Sequence, residues 1–89
     1  MRIGSCRDLG LYVRDRRRDL GMSQAALAAA AGVSRRWLTG LEAGKETAEV
    51  GLVLKTLYAL DLVLDAQPRE NLASAGIDLD ELLASLDDG

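Results

Sequence analysis

Eighty-nine residues, 48% of them apolar but with no phenylalanine and only three aromatics, make one small domain whose core must be leucine, valine and alanine. With no histidine and a single cysteine, Cys6, metal clusters, internal disulfides and most nucleophilic chemistry lose their usual parts, so the expectation is no enzyme, metal or cofactor. The net charge of −3 hides an asymmetry: residues 1–46 carry nine basic and five acidic side chains, whereas residues 47–89 carry two and nine, the pattern of a basic working surface and an acidic remainder.

The first helix is predicted to start at Ser5, which stands with Asp8 at the spacing of a capping box. Leu9, Val13, Arg17 and Leu20 then share one face at helical spacing, and Arg17 is the charged exception. Gly10 inside this helix should cost about 1 kcal/mol relative to alanine. Gly21 closes it. Ser23 caps a second helix, residues 24–31, with Leu27, Ala28 and Ala31 inward; Gly32 breaks it and Val33 fills the turn. Ser34 caps a third through about Ala43, seated by Leu38 and Leu41. Thr47 is placed to cap a fourth, roughly residues 48–60. Its stripe of Val50, Val53, Leu54, Leu57 and Leu60 is widened by Leu52 and Tyr58 beyond the needs of one small core, and such excess marks a partner surface.

After Leu60 the pattern alternates: "DLVLDAQ", residues 61–67, puts Leu62 and Leu64 on one side of a strand and Val63 on the other. A lone strand needs a mate, and beyond "MRI" at the start the chain offers none. Pairing with a second copy is the economical solution. Leu62, Val63, Leu64 and Tyr58 are therefore the expected dimer interface. Pro68 stops the strand. In the acidic remainder Asp78 and Glu81 repeat the capping-box spacing, and Leu79, Leu82, Leu83 and Leu86 make one apolar face. That helix is too short to stand alone in water, which makes it a candidate partner-binding tail. The expected organisation is a domain at 5–61, a dimerisation strand at 62–67 and a tail at 68–89. No run of 18 apolar residues and no apolar leader occurs, so a cytoplasmic protein without a membrane partner is expected.

The second and third helices carry the most specific signal. Counting from Gln24, a helix-turn-helix needs apolar residues at positions four and eight, a small residue at five, glycine at nine, and apolar residues at ten, fifteen and eighteen. Leu27, Ala31, Ala28, Gly32, Val33, Leu38 and Leu41 occupy all seven. Any three could match by chance in a leucine- and alanine-rich helical chain; all seven, with the glycine in place, do not.

At these residues, within "LGMSQAALAAAAGVSRRWLTGLEAGK", the chain resembles the Xre/Cro family of helix-turn-helix DNA-binding domains, with the likeness running over residues 7–61. The resemblance implies an all-α, lambda-repressor-like domain of four to five helices with a short C-terminal strand that pairs across a dimer. It implies a buried structural ion pair between Arg17 and Glu42, which accounts for an arginine on an apolar face. The third helix would enter the major groove by its N-terminal end. Arg35, Arg36 and Thr39 are the expected base contacts, and Gln24, Ser34 and Lys45 the expected phosphate contacts. An arginine fork can bond guanine O6 and N7 together. The sequence departs from the family where a base-reading glutamine often stands, at Gly40. Arg14, Arg16 and Arg18 are expected to be solvated, Trp37 to lie over the alanines of the second helix, and Cys6 to be an inert small residue.

A closer likeness, carried by "RRWLTGLEAGKETAEVGLVLKTLYALDLVLDA", is to HipB-like antitoxins. It implies a homodimer that binds a palindromic operator in double-stranded DNA, represses its own operon and partners a HipA-like serine/threonine kinase toxin. Two other readings stay open: a stand-alone Xre-family regulator without a toxin, and an interaction module that has lost DNA binding.

Overall fold

A computed structural model describes residues 2–68 and Leu83. Four helices follow in order: α1, Cys6–Asp19; α2, Gln24–Ala31; α3, Arg35–Glu42; and α4, Val50–Ala59. α1 and α4 both flank the α2–α3 pair, α1 resting on α3 and α4 on α2. No helix among the described residues is long and apolar enough to cross a membrane.

Three of the four helices start on a serine whose hydroxyl accepts an orphan backbone N–H: Ser5 from Asp8, Ser23 from Ala26 and Ser34 from Trp37, all at 3.0–3.1 Å. The reciprocal half of the box at α1 is displaced by one residue. The Asp8 carboxylate, a methylene shorter than glutamate, accepts from Gly4 N–H at 3.1 Å. The fourth helix starts later than its sequence suggests. Thr47 lies in a turn, and Glu49 takes the cap position without a side-chain bond. Ala48, just before that cap, packs on the core to which Val53 belongs. That pairing has the spacing of a hydrophobic staple, which sets where the helix begins.

All four helices end in the same way. A residue of positive φ follows the cap at α1, α3 and α4 and is itself the cap at α2, and the next N–H reaches back five residues: Met22 to Arg17, Val33 to Ala28, Lys45 to Gly40 and Leu62 to Leu57, at 2.9–3.0 Å. Glycine supplies the left-handed residue in three of them. At α4 it is Asp61, with φ 58°.

The core is Val13, Leu27, Ala28, Leu38, Leu41, Val53, Leu57 and Leu60. Full burial of each large side chain is worth about 1.5–3 kcal/mol. Leu9, Met22, Val33 and Trp37 pack around its edge. Thr56 is fully buried and donates its hydroxyl proton to the Leu52 carbonyl within its own helix at 2.8 Å. Gly10 has a packing reason that outweighs its helix cost. A Cβ there would run into the backbone carbonyls of Leu41 and Glu42, so α1 and α3 approach closely only because it has none.

Residues 62–68 form no regular element within the single chain. A strand is defined by its ladder to a mate, and the cross-dimer pairing expected at 62–67 therefore needs a second copy. Of the apolar tail face, Leu79, Leu82 and Leu86 lie outside the described residues; Leu83 is helical and exposed.

Candidate nucleic-acid interface

α3 is a two-sided helix. Leu38 and Leu41 are buried on one side, while Arg35, Arg36 and Thr39 are exposed on the other. Its inner end is pinned by an ion pair. Arg17 of α1 donates Nε to Glu42 Oε2 and Nη2 to Glu42 Oε1, both at 2.9 Å, with the two side chains 10% and 5% exposed. This parallel fork is the geometry in which guanidinium and carboxylate bind best. The remaining Arg17 nitrogen donates to the Met22 carbonyl at 2.8 Å, which ties the α1–α2 turn to the same pair. The charges are thus satisfied three ways, as burial demands.

A polar chain runs from this pair to the surface. Gln24, the first residue of α2, donates Nε2 to Glu42 Oε1 at 3.3 Å, and its carbonyl oxygen lies 3.3 Å from the Thr39 hydroxyl. That hydroxyl also donates to the Arg35 carbonyl one turn back, at 2.9 Å. Gln24 therefore has one amide proton left for an outside acceptor, and Thr39 keeps an acceptor lone pair. Spacing along the chain reveals the family position of Gln24, but its bond to Glu42 is a product of folding.

Arg35 and Arg36 have no carboxylate within 4.0 Å among the described residues. Successive residues diverge by about 100° around a helix, so the two guanidinium groups reach different places. Ser34 is exposed at the helix start, and its cap bond uses an oxygen lone pair, leaving the hydroxyl proton free to donate. Arg36, Gly40 and Lys45 border a shallow concavity on one flank of α3 together with Ser34 and Trp37. Trp37 is partly buried against the core there. Packing does not demand glycine at Gly40: a Cβ would meet nothing closer than Lys45 Cδ at 3.5 Å.

Of the arginines expected in solvent, Arg18 is exposed while Arg14 and Arg16 are half-buried, and Arg16 is tied down. Its Nε donates to the Leu60 carbonyl at the end of α4, 3.1 Å away. A bond between positions 44 apart has no local signal in the sequence. Arg14 and Arg18 border a second concavity, with Gln24 and Thr39, on the other flank of α3. Of the expected dimer residues, Tyr58, Val63 and Leu64 are exposed, whereas Leu62 packs on its own core.

Residues 8–72 match the helix-turn-helix domain family. An uncharacterized HTH-type transcriptional regulator of Sinorhizobium fredii, y4mF, is 42% identical over 64 residues, which are 72% of this chain and 84% of that protein. Among solved structures, a HipB variant in an O2 20mer complex superposes with a TM-score of 0.73 at 21% identity, covering 79% of this chain and 97% of that one. HipB in an O4 20mer complex gives a TM-score of 0.73 at 20% identity, over 79% and 99%. These structural likenesses establish the shared four-helix fold.

Proposed function

This chain belongs to the helix-turn-helix domain family, and we propose that it is a cytoplasmic transcriptional repressor that binds an operator in double-stranded DNA as a homodimer. The observation that carries the reading is the exposed pair Arg35 and Arg36, free of carboxylate partners within 4.0 Å among the described residues, on the leading turn of a helix whose other face is locked by Leu38, Leu41 and the Arg17–Glu42 pair. A helix so presented fits the major groove N-terminus first. Arg35, Arg36 and Thr39 read base edges; Gln24, Ser34 and Lys45 hold phosphates. The relative described as a transcriptional regulator supports the regulatory role.

The finer reading is an antitoxin that represses its own operon and sequesters a HipA-like kinase toxin. The likeness of fold to HipB supports it. The apolar surface left over on α4 and in residues 63–64, where a second copy would dock, supports the homodimer. The domain at 5–61 would bind DNA, the segment at 62–67 would pair across the dimer, and the tail at 68–89 would meet the partner.

The test is binding of the full chain to duplexes selected from a random library, read by fluorescence anisotropy against salt. Wild type should bind with a steep salt dependence. Arg35→Ala and Arg36→Ala should each weaken specific binding by about 1–3 kcal/mol while leaving the fold intact. Unchanged specific binding in both variants would mean that α3 does not enter the groove. Co-purification at natural expression level separates the finer readings: a stoichiometric kinase establishes the antitoxin, and a clean homodimer leaves a repressor alone.

A further inference from the structure

The contacts assigned so far use Gln24 and Thr39 but leave Arg14 and Arg18, on the α1 side of the second concavity, without a role. It is lined by Arg14 and Arg18 of α1, Gln24 of α2 and Thr39 of α3, with the Arg17–Glu42 pair also in its wall. Arg14, Arg17 and Arg18 are spaced i, i+3 and i+4, so they crowd onto one helical face. The Arg17 charge is taken up by Glu42. Arg14 and Arg18 have no carboxylate within 4.0 Å among the described residues, although Asp15 and Asp19 are their neighbours in sequence. Two guanidinium groups one turn apart, with no carboxylate partner among the described residues, repel each other, and they border a hollow that also holds the one amide proton Gln24 has to spare. Glu42, the one carboxylate in the lining, is already engaged by Arg17 and Gln24, so the donors of Arg14 and Arg18 face the hollow without a carboxylate within 4.0 Å among the described residues.

A helix in the major groove lies between two sugar–phosphate strands, so both of its flanks face phosphates. On one flank of α3 the concavity carries Ser34, Arg36 and Lys45. We infer that Arg14 and Arg18 form, with Gln24, the opposite wall: a phosphate-binding site on α1 that grips the second DNA strand. The inference rests on the DNA-binding reading and deepens it. It also gives the four arginines in the second half of α1 separate roles. Arg16 ties α1 to the end of α4, Arg17 seats α3, and Arg14 and Arg18 hold the backbone. A backbone contact carries no sequence information, so this wall sets register and affinity while α3 sets specificity.

The experiment compares the full-length wild type with Arg14→Gln, Arg18→Gln, the double variant and the charge-keeping Arg14→Lys and Arg18→Lys. Lys55→Gln, an exposed charge on α4, is the control for net charge. Each is titrated with a duplex selected by the wild type and with a scrambled duplex of equal length, over a range of salt. Each phosphate contact contributes about 0.9 to the slope of log K against log salt. Each substitution is present in both subunits of the proposed homodimer, so the slope should fall by about two for each Gln variant and about four for the double. Near 0.15 M salt, the loss in each single variant corresponds to about thirty-fold weaker binding. The ratio of specific to scrambled affinity should stay constant, the Lys variants should keep the wild-type slope, and Lys55→Gln should leave it unchanged. Equal slopes in wild type and Gln variants would overturn the site and leave DNA binding through α3 standing. A wild type that binds neither duplex would overturn both. A slope that falls as much for Lys55→Gln would also overturn the site, because net charge alone would then explain it.

Discussion

Arg17 looks like a defect in the sequence, a charge on the apolar face of a helix, and in the fold it is the peg that positions α3. Both partners are nearly fully buried and their polar atoms satisfied, and no buried side-chain nitrogen or oxygen among the described residues lacks a partner. Removing one partner strands the other charge out of water. Arg17→Ala or Glu42→Ala should therefore cost about 3–5 kcal/mol of stability by urea denaturation. Replacing both together by Met and Leu should cost far less, because no charge is then left unpaired. If the double replacement is as unstable as the single ones, packing volume rather than charge is what the pair provides. The ion pair was legible as a family position; its bonds to Met22 and Gln24 were not, since neither residue is apolar-periodic with it.

At the scale of the element, the four helix ends obey one geometry and differ in one residue. Asp61 holds a left-handed conformation that costs an ordinary L-residue roughly 1–2 kcal/mol, less for Asp. It also places a negative charge at the negative end of α4. Asp61→Gly should raise stability by about 1 kcal/mol, read as a shift of the denaturation midpoint. A loss of stability would mean that the carboxylate has a partner the single chain does not contain. Gly10 is the opposite case. In an isolated helix Gly10→Ala would be favourable by about 1 kcal/mol, yet here the added methyl meets the α3 backbone. The expected result is a loss of about 1–3 kcal/mol, with weaker DNA binding because α3 must shift. Propensity alone assigns this glycine the wrong sign, since the helix it touches lies more than thirty positions away in the chain.

For the whole molecule, the face left uncovered decides how many copies act together. Val50, Leu54 and Tyr58 are 69%, 46% and 85% exposed along one side of α4, and Val63 is 90% exposed. Such a stripe fits a twofold interface in which the same residues meet their own copies. On the homodimer proposed above, Tyr58→Asp combined with Leu54→Asp should give a monomer in sedimentation velocity. Operator affinity should fall with it, because two reading helices about 34 Å apart are what a palindrome rewards. A variant that stays dimeric would move the interface off α4. The charge asymmetry belongs to this scale as well: α1 to α3 hold most of the basic residues, and the acidic excess follows α4.

What the sequence determined by itself was whatever repeats at helical spacing or sits at a helix end. Serine caps, glycine stops and the seven helix-turn-helix positions are interactions among residues a few places apart, so the chain states them openly. Residues 24–31 were delimited without the fold for that reason. Tertiary structure alone decided the rest. It shifted the start of α4 from Thr47 to Glu49 by packing Ala48 on the core, turned Arg16 from a solvated charge into a clasp on Leu60, and gathered Arg14 and Arg18 beside Gln24. Each of these depends on contacts between groups distant in sequence, whose meeting is fixed only when the helices pack.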